Sequence, residues 1–121
     1  MSRRSARILI EDMLERCERI ERYLAGVDYQ LFLRDQKTAD SVIRNLEVIG
    51  EAASRLPRDL TQTWAEVPWR LIVGMRHRIV HDYFDVDLAL VFDICREEVP
   101  TLTAQLRQVL GSLDPDSGHG P

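Results

Sequence analysis

Apolar residues in the first part of the chain recur with the period of a helix. Ile10, Met13, Cys17, Ile20 and Leu24 follow one another at steps of three and four, the spacing that lines side chains along one helical face. Glu11, Glu15, Arg16, Glu18, Arg19, Glu21 and Arg22 fill the other face. The pattern predicts an amphipathic helix of about five turns that stops near Gly26. Asp28 is placed to cap a short helical turn through Leu31 and Leu33, and Asp35 to cap a second long helix. That helix carries Ala39, Val42, Ile43, Leu46, Ile49 and Ala53 as its stripe, with Pro57 just beyond its end. Gly50 falls inside it, where glycine costs up to about 1 kcal/mol relative to alanine. A close approach by another helix is the expected reason.

Residues 57–67 read as an irregular connection, with Trp64 as its anchor to the core. Pro68 suits the first turn of a new helix, on which Trp69, Ile72, Val73, Arg76, Val80 and Tyr83 share a face at helical spacing. Asp85 or Asp87 can cap a last helix with Leu88, Val91, Cys95, Leu102, Leu106 and Val109 on one side. Pro100 lies within that pattern and predicts a kink, and Gly111 closes it. Residues 112–121 are rich in Gly, Pro and Asp and are expected to be disordered, so His119 there is assigned no role. Strand-like alternation and internal repeats are absent. The sum is an all-α fold, an antiparallel bundle of four to five helices with a kinked last helix, forming a single domain over residues 1–111 with a tail at 112–121.

Composition narrows the class. The 121 residues are 45% hydrophobic and 30% charged, as in a soluble globular domain. No apolar run nears the ~18 residues a membrane span needs, and no signal peptide is read at the N-terminus. Cys17 and Cys95 do not form a C-x-x-C pair and fall on apolar helix faces. They are expected as buried free thiols in a reducing cytoplasm.

Charge is uneven. The chain carries −4, yet Arg3, Arg4 and Arg7 give residues 1–10 a charge of +3, and Arg70, Arg76 and Arg78 give residues 67–81 another +3, leaving −10 for the rest. A basic arm and a basic patch on an acidic body suit a local phosphate site better than a surface that coats a duplex.

Arg76, His77, Arg78, His81 and Tyr83 fall within eight residues of that patch. Histidine exchanges protons near neutral pH. Arginine offers a permanent charge in a fork that matches phosphate oxygens, and a tyrosine hydroxyl can donate to or accept from the same group. Together they suffice to cleave a phosphodiester without a metal. A solvated helix surface with two ordinary histidines is the plain alternative. His77 and His81, four residues apart, are half of a zinc site at most, and a third ligand would have to be Asp82, Asp85 or a distant residue. On a regular helix Arg76 and His81 would point about 140° apart. The helix must therefore loosen near Ile79–His81, or a second copy of the chain must supply the partner residue. Arg76 also falls on an otherwise apolar face, which is costly for a charge unless it opens into a cleft. Both points favour a dimer cleft. Tyr83 could equally be a core aromatic, and Trp64 and Trp69 are expected as packing anchors.

Arg76-x-x-x-x-His81-x-Tyr83 resembles the R-x-x-x-x-H-x-Y signature of HepT-like proteins, toxin members of the HEPN superfamily. His77 fits the polar position that follows the arginine there. Residues 39–52 resemble the family's central helix, and Pro68-Trp69-Arg70 with Gly74-Met75-Arg76 resembles the approach to the motif, so the likeness runs over residues 6–110. The resemblance implies a helical bundle that dimerises with its motifs facing one cleft. It implies a metal-independent endoribonuclease, hence no cofactor, with RNA as substrate. It further implies a type VII toxin–antitoxin system in which a minimal nucleotidyltransferase antitoxin silences the toxin by AMP transfer to the motif tyrosine. By that resemblance Arg76 holds the scissile phosphate and His81 is the acid–base residue. His77 and Arg78 assist or bind RNA, and Tyr83 contacts RNA and takes the modification. The other reading is a non-catalytic helical subunit that binds nucleotide or docks a nucleotidyltransferase.

Overall fold

The computed structural model describes residues 3–82 and 85–113. Two long helices lead: α1 (Arg3–Leu24) and α3 (Gln36–Ser54), joined through the short α2 (Tyr29–Arg34). The predicted boundaries have the predicted causes. Gly26 takes the left-handed conformation at φ 74° just past α1. Asp28 accepts the Leu31 N–H at 2.8 Å to start α2, and Asp35 accepts the Thr38 N–H at 3.1 Å to start α3. In α2 the buried residue is Phe32, while Leu31 and Leu33 remain exposed.

The stripe of α1 is buried as expected, and Ala39, Val42, Leu46, Ile49 and Ala53 meet it from α3. Side-chain pairs fix the direction. Arg16 donates to the buried Asn45 at 3.3 Å, and Leu9 and Asp12 share a recess with Val48 and Ala52, so α1 and α3 run antiparallel. Asn45 also donates to the Ser41 carbonyl at 2.8 Å, which leaves this buried amide satisfied at both ends.

The last helix runs as α7 (Leu88–Asp93), a π-helical turn (Ile94–Glu98) and α8 (Val99–Leu113). The kink predicted from Pro100 is expressed as this wide turn. The Val99 N–H reaches back to the Ile94 carbonyl, a five-residue step directly ahead of a residue that has no N–H to give. The helix does not close at Gly111: Ser112 and Leu113 complete it, and the remaining tail residues, His119 among them, lie outside the described residues. Thr103 and Arg107 reach Glu21 and Glu18 at 3.2 and 3.1 Å, so α8 is antiparallel to α1. Phe92 packs against Tyr29 and Phe32 with ring centroids 5.4 and 5.3 Å away, and Arg96 donates to the Val27 carbonyl. These contacts seat α2 on the last helix. Cys17 and Cys95 are buried and unbridged.

Three expectations are corrected between residues 57 and 87. The connection expected to be irregular contains a helix, α4 (Arg58–Thr63), because Pro57 stands ahead of its first turn and Leu60 gives it a buried residue. Trp64 then ends it, and its carbonyl accepts the Trp69 indole N–H at 2.9 Å, so both tryptophans are the anchors predicted. The single helix expected from Pro68 is two short ones, α5 (Trp69–Val73) and α6 (Met75–Ile79), parted at Gly74, whose ψ is 13°. Finally, a two-stranded antiparallel ribbon, β1 (Val80–Asp82) with β2 (Asp85–Val86), stands where no strand was expected. Strands of three and two residues are too short to show alternation.

Gly50 has the predicted reason. A Cβ there would lie 2.8 Å from the Ile72 carbonyl oxygen, so α5 crosses α3 backbone to backbone. That crossing sets where α6 and the ribbon begin.

Candidate active site

The α5–α6 segment buries Ile72, Met75 and Ile79, at steps of three and four. This is the neighbouring helical phase to the one read from sequence. Val73 and Arg76, placed on the inner face by that reading, are exposed. The energetic reason is simple: turning the inner face to Met75 removes the cost of burying the Arg76 charge. The burial argument for a dimer cleft therefore does not apply to Arg76 within this chain.

Arg76 opens onto a small recess of about 140 Å³, which it shares with Glu47, Gly50, Glu51, Ser54 and Val73. Among the described residues, Arg76 and His77 form no side-chain hydrogen bond or ion pair. Two carboxylates of α3 thus stand near a guanidinium that they do not clamp. Toward the described residues its donors are uncommitted, as an anion site requires.

Arg78 is placed differently. Its guanidinium grips Glu98 with two hydrogen bonds, 3.0 Å from Nη1 to Oε1 and 2.7 Å from Nη2 to Oε2. The Glu98 carboxylate holds the Arg78 pKa above its ordinary value, against the lowering effect of partial burial. Arg78 thereby ties α6 to the π-helical turn of the last helix, and its donors toward Glu98 are committed.

The helix ends at Ile79, and His81 emerges from β1. The helix thus ends where the first of the two escapes from a helical phase placed the break; a partner residue from a second copy is a matter for the assembled protein. The side chain of His81 is 55% exposed, and its Nε2 lies 3.1 Å from Asp87 Oδ2. Asp87 is itself tightly held. Its N–H donates to the Ile79 carbonyl at 2.7 Å, and its Oδ1 accepts the Leu90 N–H at 3.0 Å as the cap of α7. The Leu90 N–H first, and His81 second, hold its carboxyl below the usual carboxylate range. The cap is therefore Asp87, and Asp85 belongs to β2. Tyr83 lies outside the described residues.

The motif is thus dispersed over a helix and a ribbon, with Arg76 toward α3, Arg78 toward Glu98 and His81 toward Asp87. Glu98, Glu47, Glu51 and the second role of Asp87 had no signal in the sequence beyond residue type, because each depends on contacts between elements. An apolar cavity of about 310 Å³ lies close by, lined by Leu46, Ile49, Ile72, Met75 and Leu102 and bearing Glu66, Glu97 and Glu98. Its lining has no basic side chain to set against those three carboxylates, so the exposed basic surface at Arg76, His77 and His81 is the better candidate for phosphate. Arg3, Arg4 and Arg7, read as an arm, begin α1, where Arg7 lies 3.6 Å from Glu11. Among the described residues no group of three His, Cys, Asp or Glu side chains is placed to hold a metal.

The profile of the family described as ribonuclease HepT-like matches residues 13–109, a span that contains every motif position. A protein of Thermococcus cleftensis named "Probable ribonuclease HepT" is 36% identical over 107 residues, 88% of this chain and 97% of that one. A candidate RNase of Caldanaerobacter subterraneus subsp. tengcongensis is 31% identical over 107 residues, covering 88% of this chain and 96% of its own. A candidate RNase of Methanocaldococcus jannaschii is 32% identical over 109 residues, 90% of this chain and all of that one. No solved structure matches the chain significantly.

Proposed function

The chain belongs to the ribonuclease HepT-like family, and from that premise we propose that it is a metal-independent endoribonuclease. Its cleavage site centres on Arg76 and His81 in a homodimer cleft, and RNA, with tRNA as one candidate, is its substrate. The observation that carries this reading is an exposed guanidinium that none of the described residues clamps, five residues from an exposed imidazole backed by a carboxylate. In the proposed step His81 removes the proton of a ribose 2′-hydroxyl. The 2′-oxygen then attacks the adjacent phosphorus, the bond from phosphorus to the 5′-oxygen breaks, and the leaving oxygen takes up a proton. The product ends are a 2′,3′-cyclic phosphate and a 5′-hydroxyl. Arg76 neutralises the charge that develops on the phosphoryl oxygens, and His77 positions the same group.

The wider reading is a cytoplasmic toxin of a type VII HEPN/MNT toxin–antitoxin system. There a minimal nucleotidyltransferase antitoxin silences the toxin by transferring AMP to Tyr83. No helix among the described residues is long and apolar enough to cross a membrane, consistent with a substrate met in solution. Domain limits of 1–111 with a tail at 112–121 belong to the same reading, with the domain edge moved to Leu113, where α8 ends.

The test is cleavage of total RNA and tRNA in excess EDTA by wild type, His81→Ala and Arg76→Ala, purified identically. The reading expects cleavage by wild type and a loss of at least about 100-fold in either variant, with thermal unfolding unchanged. Equal cleavage by all three proteins would trace the activity to a contaminant. No cleavage by any, with mass spectrometry showing Tyr83 unmodified, would favour a non-catalytic subunit that binds nucleotide or a nucleotidyltransferase.

A further inference from the structure

Asp87 serves the backbone and the motif at once. Its N–H closes the ribbon onto the Ile79 carbonyl, and one carboxylate oxygen caps α7 through the Leu90 N–H. The Ala89 N–H also approaches the carboxylate, and the second oxygen lies 3.1 Å from His81 Nε2. We propose that Asp87 is the positioning residue of the site: it fixes the ring of His81 with the proton on Nε2, so that Nδ1 is the nitrogen that exchanges protons with RNA. The inference rests on the ribonuclease reading for its catalytic half and on geometry alone for the other.

The chemistry follows from what a carboxylate can do. An ionised carboxylate accepts hydrogen bonds and donates none. The neutral ring of His81 must therefore bring its proton to the contact, on Nε2, and its lone pair then sits on Nδ1. When Nδ1 takes a proton from the 2′-hydroxyl, the resulting imidazolium stays bonded to a full negative charge. The contact thereby strengthens as the ring becomes charged, the logic by which a buried Asp supports His in serine hydrolases. Orientation matters more here than in a buried site. A ring on a short ribbon, 55% exposed, would otherwise rotate freely, and proton transfer needs the reacting atoms held within hydrogen-bond reach. The cap is what makes Asp87 a rigid support. With one oxygen held by α7 and its own N–H held by Ile79, the other oxygen has little freedom to leave His81. The ribbon also carries Asp82 and Asp85, and Arg78 on α6 is already bound to Glu98.

Asp87→Asn separates the roles. Asparagine keeps an oxygen for the Leu90 N–H and is as good a cap as aspartate. Its second group is then an amide that donates, so the neutral His81 ring must accept on Nε2 and move its proton to Nδ1. Asp87→Ser also caps, but is too short to reach the ring. Nitrogen-15 labelled wild type and Asp87→Asn are compared at about pH 8, where an ordinary histidine is neutral. Two-bond proton–nitrogen correlations, assigned with a His81→Gln control, report the tautomer. The expected result is Nε2–H in wild type and a shift to Nδ1–H in Asp87→Asn. In the RNA assay kcat is expected to fall about 10- to 100-fold in Asp87→Asn and Asp87→Ser, with KM within about threefold and unfolding little changed. An Nδ1–H ring in wild type, an unchanged tautomer in Asp87→Asn, or kcat within twofold of wild type in either variant would overturn the proposal. Wild-type protein that cleaves nothing would sink the ribonuclease reading by itself, and the tautomer measurement would still decide whether Asp87 fixes the ring.

Discussion

At the residue scale, the contacts near the motif divide into those written locally and those that are not. Asp28, Asp35 and Asp87 cap the helices that follow them. These roles were legible because a cap acts within three residues of itself. The partner of Arg78 was not legible: Glu98 is 20 residues away, and nothing in the spacing distinguishes it from Glu97. The fork at Arg78 is partly exposed, so its worth is modest. Glu98→Gln is expected to cost about 1 kcal/mol, which lowers Tm by roughly 3–6 °C for a domain of this size. Differential scanning calorimetry at low and high salt checks it, and the loss should shrink as salt screens the wild-type pair. A reversed pair, Arg78→Glu with Glu98→Arg, should recover most of it. Failure to recover would mean that Arg78 stabilises α6 by packing alone.

At the element scale, the phase of a helix proved harder to read than its existence. The α5–α6 segment offered two apolar faces one residue apart, and only tertiary contact selected Ile72, Met75 and Ile79. The misplaced charge on the rejected face was the available clue. Gly50 was better placed for inference, since glycine inside a strong helical pattern calls for a neighbour that leaves no room for a side chain. Gly50→Ala tests this directly. Helix propensity alone would favour the variant by about 1 kcal/mol, whereas a Cβ placed 2.8 Å from the Ile72 carbonyl oxygen must push α5 away. The clash is expected to win, with a net loss of about 1–3 kcal/mol in urea unfolding. Increased stability would show that α5 yields without cost. On the same helix, Glu47 and Glu51 flank the Arg76 recess. Removing one of these charges by Glu51→Gln is expected to tighten RNA binding roughly two- to fivefold at low salt, measured by fluorescence anisotropy with catalysis blocked by His81→Ala. Weaker binding would place RNA elsewhere.

At the scale of the whole molecule, the bundle was legible because its long helices carry unbroken stripes. The ribbon was not, because its strands are shorter than the period that would reveal them. The fold also has a pH range built into it. Asp35, whose carboxylate accepts the Thr38 hydroxyl and N–H, and Asp87 are held below the ordinary carboxylate range. Their contribution is present above about pH 4 and is lost as pH falls through their folded-state values. Burial, the largest cause for both thiols, raises Cys17 and Cys95 to about 12. Below about pH 8 both states keep their thiol protons and the contribution is complete. Above it the unfolded chain releases thiol protons that the fold retains, and stability drains away as pH climbs toward 12. Urea midpoints should therefore form a plateau between about pH 5 and 8, falling on both sides. Both thiols should resist a thiol reagent until the chain unfolds, and rapid labelling of native protein would contradict their burial.

The change from helix to ribbon at Ile79 also gives the chain two different rulers. Ahead of it, one inserted residue rotates everything that precedes by about 100°. Beyond it, one inserted residue turns a side chain to the opposite face, and a second turns it back. Length variation between Arg76 and Ile79 should therefore be tolerated only near whole helical turns. Variation between Ile79 and His81 should follow even numbers only as far as the irregular register between Val80 and Asp82, where His81 sits, allows. A graded set of insertions on either side would show which ruler the site obeys.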